Sequence, residues 1–266
     1  MNLELFGNQA RRRRGRRQPR PPTAKDLMNL DFEELDYCNT PIGELMLRRR
    51  TEPRLRVEVY EVKLGDEFLM SSLFTAGEVA LANLALSACE AGPLDVAVGG
   101  LGLGYTAHAA LENAAVRSLL VVEALPVVID WHRRGLVPLG AGLSADSRCE
   151  FLAGDFFARV NSSGIDPRVP DKRFHAILLD IDHSPRHVLH PDHAAFYSPT
   201  GLRRLAAHLQ PRGVFGLWSN DPPDEVFRAT LAEVFCSVEA HLVKFHNPLQ
   251  DREATNTVYL AWGVKE

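Results

Sequence analysis

The segment Val96-Ala-Val-Gly-Gly-Leu-Gly-Leu-Gly-Tyr-Thr-Ala107 decides the fold of this 266-residue chain. It follows a short apolar run that predicts a β-strand, and it opens a stretch that predicts a helix. Gly99, Gly100, Gly102 and Gly104 allow tight turns and a close approach of the backbone to a ligand, because glycine has no Cβ. The N-terminus of the following helix offers free N–H groups and the positive end of a dipole. The segment therefore predicts a strand, a ligand-binding loop and a helix.

Short apolar runs alternate with helical stretches on both sides of this loop. Strands are predicted over residues 94–98, 118–122, 150–153, 174–179 and 213–217. Helices are predicted over residues 78–90, 105–113, 126–134, 155–161, 199–209 and 225–235. The first helix has a capping box at its start, Thr75-Ala-Gly-Glu78. Such alternation is typical of a parallel sheet with helices on both faces.

The pattern changes near the C-terminus. Two further strands are predicted over residues 238–245 and 255–262, and only a short polar loop separates them. Two strands joined in this way must be antiparallel, since a parallel connection needs a long crossover. We therefore expect an α/β fold, a doubly wound, seven-stranded Rossmann-like sheet that ends in an antiparallel hairpin.

Charge and pattern divide the rest of the chain. Residues 1–25 hold eight basic side chains and one acid, whereas the remainder holds 22 basic and 33 acidic side chains. The segment with RRRRGRRQPRPP has almost nothing to bury, so residues 1–25 are expected to form a disordered basic tail. Residues 26–74 contain two stretches in which apolar and polar residues alternate, which predicts a small N-terminal β element. The main domain is expected over residues 75–266.

Composition excludes several classes of protein. The acidic body disfavours a general nucleic-acid-binding protein, so a nucleic acid is expected to contact only the basic tail. Four cysteines without a CxxC pair fit reduced thiols in a cytoplasmic protein and do not support a zinc site. No apolar run reaches the length of a membrane span, and the N-terminus lacks the apolar core of a signal peptide.

Two acids follow the second and third predicted strands of the main sheet. Glu123 ends an apolar run 19 residues after Gly104, where an acid in doubly wound sheets accepts hydrogen bonds from ribose hydroxyls. A carboxylate in such a run needs a partner, because an unpaired buried charge is costly. Asp155 ends the third strand, where it either contacts an adenine amino group or caps the next helix.

The ligand of the glycine loop is open to two interpretations. Gly102-x-Gly104-x-x-Ala107 fits the dinucleotide fingerprint, which favours an NAD-dependent enzyme. The C-terminal hairpin, however, stands where the second mononucleotide-binding half of a dinucleotide fold would be. The loop glycines, Glu123 and Asp155 form a set sized for one nucleoside. Together these features resemble the class I S-adenosylmethionine-dependent methyltransferase fold over residues 75–264.

Two carboxylates lie at the carboxyl end of the middle strand, in Asp180-Ile-Asp182-His183. This is the edge at which ligands bind in open α/β sheets. His183, His187, His190 and His193 follow, but Pro185 and Pro191 interrupt any helix that could align them. We therefore expect a loop here and no metal site. Trp218-Ser-Asn-Asp221 follows the fifth strand and either borders the same pocket or forms a turn.

Longer motifs link the chain to one family. GGLGLG, Glu123, Gly154-Asp155, Asp180 and the stretch Ala195-Phe-Tyr-Ser-Pro-Thr-Gly-Leu-Arg-Arg-Leu205 together resemble the spermidine synthase (polyamine aminopropyltransferase) family. The N-terminal β element and Leu64-Gly-Asp-Glu-Phe-Leu-Met-Ser-Ser72 are similar to that family's small β domain and the segment that follows it. The resemblance covers residues 40–264.

The resemblance implies a transferase that moves an aminopropyl group from decarboxylated S-adenosylmethionine to a small-molecule amine, as in polyamine biosynthesis. It implies a homodimer and no metal. Asp180 matches the family's catalytic aspartate, Glu123 its ribose acid and Asp155 its adenine-side acid, and we expect Asp182 to assist Asp180. An alkyl ammonium has a pKa near ~10, so a base must take its proton before it attacks.

Two departures keep alternatives open. Gly102 or a neighbouring leucine stands where the family's loop usually carries an aspartate, and the strand end differs from the family's Asp-Ser-Ser-Asp-Pro. The missing loop acid favours the first alternative, an S-adenosylmethionine-dependent methyltransferase of unidentified substrate. A non-catalytic nucleoside-binding scaffold that docks on RNA through its basic tail is the second, and the NAD-dependent enzyme is the third.

Overall fold

The computed structural model describes residues 32–265, which form two β-sheets. The basic tail predicted over residues 1–25 lies outside the described residues, as do residues 26–31 and Glu266. The smaller sheet is antiparallel, with its strands in chain order. Its strands are β1 (Phe32–Thr40), β2 (Gly43–Glu52), β3 (Val57–Leu64) and β4 (Glu67–Ser71). Only the central two of these strands were predicted.

The larger sheet has seven strands in the order β10-β11-β9-β8-β5-β6-β7. They are β5 (Leu94–Gly99), β6 (Val116–Glu123), β7 (Cys149–Ala153), β8 (Phe174–Leu179), β9 (Leu209–Ser219), β10 (Phe235–Asn247) and β11 (Arg252–Val264). Strands β5 to β9 pair in parallel, whereas β11 runs antiparallel to both β9 and β10. The predicted seven-stranded, Rossmann-like sheet with an antiparallel C-terminal hairpin is confirmed.

Helices connect the parallel strands. They are α1 (Ala76–Ser87), α2 (Tyr105–Glu112), α3 (Pro126–Arg133), α4 (Gly140–Ala145), α5 (Phe156–Val160), α6 (Pro199–Ala206) and α7 (Glu225–Ala232), with a 3₁₀ helix at Pro191–Ala195. The predicted capping box is wrong, because the side chain of Thr75 caps no N–H group of α1. The short α4 and the 3₁₀ helix were not predicted, since each is too short to show a helical apolar period.

Strand β5 lies at the centre of the molecule, with every one of its six residues buried. Side chains of the large sheet alternate between two apolar clusters, one on each face. Leu45, Leu47 and Val62 of the smaller sheet belong to the same cluster as helices α1 to α3. Trp131 of α3 is fully buried, and its Nε1–H donates to Asp36 Oδ2 of β1 at 2.7 Å. The smaller sheet is therefore packed onto one face of the larger one.

The glycine loop between β5 and α2 touches the end of β8. Gly100 and Gly102 have φ angles of +94° and +50°, which glycine adopts without strain. A Cβ at Gly100 would lie 2.1 Å from the carbonyl oxygen of Asp180, so no larger residue fits there. The N–H of Asp180 donates to the carbonyl of Gly99 at 2.9 Å. The loop and the acid after β8 thus form one backbone unit at the carboxyl edge of the sheet.

Within residues 32–265, none of the helices has both the length and the apolar character that crossing a membrane would require.

Candidate active site at the carboxyl edge of the sheet

A cavity of about 350 Å³ opens where the glycine loop meets the ends of β6, β7 and β8. Five of the predicted site residues line it: Gly100, Gly102, Glu123, Asp155 and Asp180. The smaller sheet supplies an opposite, apolar wall, to which Ile42, Leu45, Val62, Leu69 and Met70 contribute. The volume is in the range of sites for small ligands and cofactors. The structure therefore brings the acids after three different strands into one space.

Glu123 is buried at the end of β6, and its two carboxylate oxygens have partners. Oε2 accepts the N–H of Leu101 at 2.9 Å, and Oε1 accepts the N–H of Leu125 at 2.8 Å. Burial raises the pKa of Glu123, and the backbone N–H donors oppose that rise. The expectation that this acid needs a partner is met by backbone groups. Glu123 therefore holds the glycine loop in place while it faces the cavity.

Asp155 takes the helix-capping role that was one of its two predicted roles, and its contact with an adenine amino group stays a prediction. Its side chain accepts the N–H of Phe157 at 2.9 Å and so caps α5. The same residue is exposed and lines the cavity. A carboxylate oxygen that caps a helix keeps further lone pairs, so the cap does not prevent a contact with a ligand.

Asp180 lies directly after β8. Its side chain is positioned by a threonine that was not predicted from sequence. The hydroxyl of Thr106, in the first turn of α2, donates to Asp180 Oδ2 at 2.7 Å. Burial raises the pKa of Asp180 to about 6, and the Thr106 hydrogen bond works in the opposite direction. No hydrogen bond to Oδ1 is present among the described residues. A carboxylate of this kind is ionised at neutral pH and is a stronger base than an exposed aspartate.

The position of Thr106 near the site could have been predicted from sequence, but its contact with Asp180 could not. It follows the glycine loop by two residues, and the first turn of a helix after such a loop faces the carboxyl edge of the sheet. Its contact with Asp180 joins residues 74 positions apart, which no local pattern reports.

Three predicted site residues, Gly99, Gly104 and Asp182, do not line the larger cavity. A Cβ at Gly99 would lie 2.8 Å from the ring of Phe156, so this glycine permits close packing behind the cavity. Gly104 lines a smaller cavity next to the first one, and its φ of +92° begins α2. Asp182 is 1% exposed and is not among the residues that line either cavity.

Asp182 holds the loop that follows β8. Its oxygens accept the N–H of Leu189 at 2.7 Å, Nδ1 of His193 at 2.8 Å and the hydroxyl of Tyr197 at 2.8 Å. The pKa of Tyr197 is raised well above its usual range, first by burial and then by the charge of Asp182. These contacts differ from the expectation that Asp182 assists Asp180, because β8 ends at Leu179 and the partners of Asp182 come from the chain that follows, Leu189, His193 and Tyr197. The assisting role stays a prediction; the contacts support a structural one.

The histidines after β8 contact separate acids. Nε2 of His183 lies 3.0 Å from Glu67, and Nδ1 of His187 lies 2.9 Å from Asp221. Among the described residues, no group of three or more histidines, cysteines or acids is arranged to hold a metal ion.

Sequence comparison finds two curated relatives. The chain is 28% identical over 155 residues to polyamine aminopropyltransferase 2 of Pseudomonas aeruginosa and 27% identical over 157 residues to polyamine aminopropyltransferase of Sulfolobus acidocaldarius. Each match covers 56% of this chain. The matches cover 42% and 47% of the two relatives, so the chain spans less than half the length of the curated relatives it matches. No protein-family model matches the chain.

Comparison with solved structures finds proteins of similar fold. Spermidine synthase from Thermotoga maritima superposes with a TM-score of 0.66 at 16% identity, over 87% of this chain and 74% of that one. A spermidine synthase in complex with the transition-state analogue AdoDATO gives the same values. The chain is thus similar in sequence to these two polyamine aminopropyltransferases and similar in fold to these spermidine synthases. Human methyltransferase-like protein 13, in complex with SAH, shares the wider methyltransferase-like fold with a TM-score of 0.50 and 20% identity over 71% of this chain and 79% of that one.

The contacts of Asp182 generate a prediction about stability. Asp182→Asn replaces one of two accepting oxygens with an NH₂ group, so at least one of the three donors loses its charged acceptor. We expect the free energy of unfolding to fall by about 1–3 kcal/mol. Chemical denaturation measures this, with Asp171→Asn on the exposed surface as the matched control. A variant as stable as the control would remove the structural role.

Proposed function

We propose that this chain transfers the aminopropyl group of decarboxylated S-adenosylmethionine to a small-molecule amine. One observation carries the proposal: Glu123 and Asp180 line one cavity beside the glycine loop. A nucleoside needs the first acid and the loop, and an attacking amine needs the second. The relatives named polyamine aminopropyltransferase support the same chemistry.

The residues present fit the adenosyl part of this co-substrate. Glu123 uses two oxygens for the backbone but keeps lone pairs for ribose hydroxyls. Asp155 lines the same cavity and offers an acceptor for the adenine amino group. A Cβ at Gly100 or Gly102 would collide with the Asp180 carbonyl oxygen or with Met70, so these two glycines allow the loop to pack closely beside the cavity. The sulfonium supplies a good leaving group, since it departs as a neutral thioether.

The chemistry then requires a base beside the reacting carbon. The amine nitrogen forms a bond to the methylene carbon attached to sulfur, the carbon–sulfur bond breaks, and its electron pair stays on sulfur. The proton that the amine loses must go to an acceptor. Asp180 offers its unpartnered Oδ1 for this purpose, and Thr106 fixes the other oxygen. The charge of Asp180 also attracts a cationic amine into the cavity.

A methyltransferase is the second candidate, and one observation favours it. Gly102 stands where an acid of the loop would face the aminopropyl chain, and Met70 fills the adjoining space. A Cβ at Gly102 would lie 2.3 Å from Cε of Met70, and the N–H of Leu103 lies 3.1 Å from the Met70 sulfur. Transfer of a methyl group would use the same sulfonium and break a different carbon–sulfur bond.

Calorimetric titration with the two sulfonium compounds separates these candidates. We expect the decarboxylated form to bind at least tenfold more tightly than S-adenosylmethionine, a difference of about 1.4 kcal/mol. A tenfold preference for the carboxylated form would reject aminopropyl transfer in favour of methyl transfer. Tight binding of NAD without either sulfonium would reject both.

Replacement of Asp180 tests its role as the base. Asp180→Asn should lower kcat by ~10²–10⁴, because the amide cannot take a proton. In the unchanged protein, kcat should fall as the pH falls through about 6, where Asp180 becomes protonated. The variant should lose that limb of the profile. Initial rates of methylthioadenosine release from pH 5 to 9 provide the measurement. Turnover within threefold of the unchanged protein would exclude Asp180 as the base.

Replacement of Glu123 tests the nucleoside end. Glu123→Ala removes the acceptor of two N–H groups and of the ribose hydroxyls. Each charge-assisted hydrogen bond contributes roughly 1.5–3 kcal/mol, so the Kd for methylthioadenosine should rise at least tenfold. Titration of the folded variant, with Glu112→Ala on the exposed face of α2 as the control, gives the Kd. Equal affinities in the two variants would place the nucleoside elsewhere.

A further inference from the structure

A separate cavity of about 340 Å³ lies at the amino edge of the large sheet, opposite the candidate active site. Lys172 and Arg173 precede β8, and His208 precedes β9, so the residues that line it stand where these two parallel strands begin. It shares no lining residue with the cavities at the carboxyl edge. Its volume is in the range of sites for small ligands, and the proposed reaction does not use it.

One wall of this cavity is formed by the loop of residues 161–173, which connects α5 to β8. Connections of this length without a helix or strand are uncommon in compact domains and often carry a function. The loop is tightly packed: Ile165 and Asp166 are buried, and a Cβ at Gly164 would lie 2.2 Å from the carbonyl oxygen of Pro170. The wall is therefore formed before any ligand binds.

The charge of the lining is positive. Three cationic side chains, Lys172, Arg173 and Arg204, line the cavity together with one acid, Asp171. The chain outside the basic tail carries more acidic than basic side chains, so this excess of cations is local. A cleft lined mainly by one sign of charge attracts ligands of the opposite sign.

The two arginines lack the ion pairs that neutralise other arginines of the protein. Arg168, on the same loop, pairs with Asp166. Within residues 32–265, Arg173 and Arg204 have no carboxylate partner, and Nη1 of Arg204 donates to the amide oxygen of Asn161 at 2.9 Å. This contact holds the guanidinium group at the cavity without neutralising it.

A buried imidazole at the same cavity is a second, independent sign of a ligand. His208 is 7% exposed, and its Nε2 lies 3.0 Å from the carbonyl oxygen of Val160. A carbonyl only accepts hydrogen bonds, so Nε2 carries the proton and Nδ1 of the neutral ring is an acceptor. Nδ1 has no hydrogen-bond partner in the part of the chain that the structure describes. It is the nitrogen left for a ligand.

The ends of α5 and α6 border the cavity, where cations often serve the negative end of a helix dipole. The carbonyl of Val160, at the end of α5, already accepts from His208. The dipole of α6 accounts for Arg204, which lies in its last turn. Arg173 belongs to neither helix, so the helix ends do not explain the pair of arginines.

We infer that this cavity binds a small anion with two or more phosphoryl groups. Planar guanidinium groups bind phosphoryl oxygens through paired hydrogen bonds, and Arg173 and Arg204 supply two of them. Nδ1 of His208 accepts a hydrogen bond from a protonated phosphoryl oxygen. The cavity is larger than a single phosphate ion, which favours an oligophosphate or the phosphate end of a nucleotide.

Calorimetric titration of the full chain with pyrophosphate at constant ionic strength tests the inference. We expect one saturable site, and the variants Arg173→Gln and Arg204→Gln should each bind pyrophosphate at least fivefold more weakly. Arg203→Gln is the matched control, because Arg203 is the neighbouring exposed arginine of α6 and does not line the cavity. It should bind within twofold of the unchanged protein. Equal Tm values for all four proteins would show that lost binding is not lost folding.

Three results would overturn the inference. The first is the absence of saturable binding to the unchanged protein. The second is binding that neither Arg173→Gln nor Arg204→Gln weakens, since the anion would then lie on another basic segment such as residues 1–25. The third is equal weakening by Arg203→Gln, which would show a general effect of charge.

Two further probes, tripolyphosphate and uridine triphosphate, distinguish the sources of the phosphoryl groups. Uridine lacks the adenine for which the carboxyl-edge cavity is proposed, so its triphosphate reports on the amino edge. Tighter binding of uridine triphosphate would assign the site to nucleotides, and equal or tighter binding of tripolyphosphate would assign it to inorganic oligophosphates. Both results support the site when the two arginine variants weaken them. None of these measurements depends on aminopropyl transfer.

Discussion

A carboxylate that is removed from water is costly unless hydrogen-bond donors or a cation replace the water. The acids near the carboxyl edge of this sheet differ in how many such partners they have. Glu123 is compensated by two backbone N–H groups, and Asp182 by a backbone, an imidazole and a phenol donor. Asp180 has one hydroxyl, and Glu78 has no side-chain partner in the described chain. The first two acids each have several hydrogen-bond donors that fix them in the scaffold, whereas the last two have at most one.

The same requirement explains what could be predicted from sequence. The order of strands and helices, the C-terminal hairpin and the position of Glu123 follow from local periodicity and from the glycine loop, because each is encoded within a short stretch. Asp180 could be placed at the sheet edge for the same reason. Its partner Thr106 could not, since their contact depends on how α2 packs against β8.

Two acids show where local patterns mislead. Glu78 occupies the position of a capping-box glutamate, and the chain around it gives no sign that its side chain turns into a cavity instead. Asp182 lies two residues after Asp180 and shares its residue type, but three donors from the following loop surround it. In both cases the deciding groups lie on other elements, so residue type and spacing were compatible with more than one environment.

The smaller sheet has a consequence for how such a protein can change. Leu45 and Val62 contribute at once to the apolar core and to the cavity wall, and Met70 rests on the glycine loop. Substitutions in these strands therefore alter the shape of the cavity and the packing of the core together. If a related protein lacked the equivalent of residues 32–71, the same acids and glycines would lie in a groove that is open on one side, because this sheet supplies the opposite wall of the cavity.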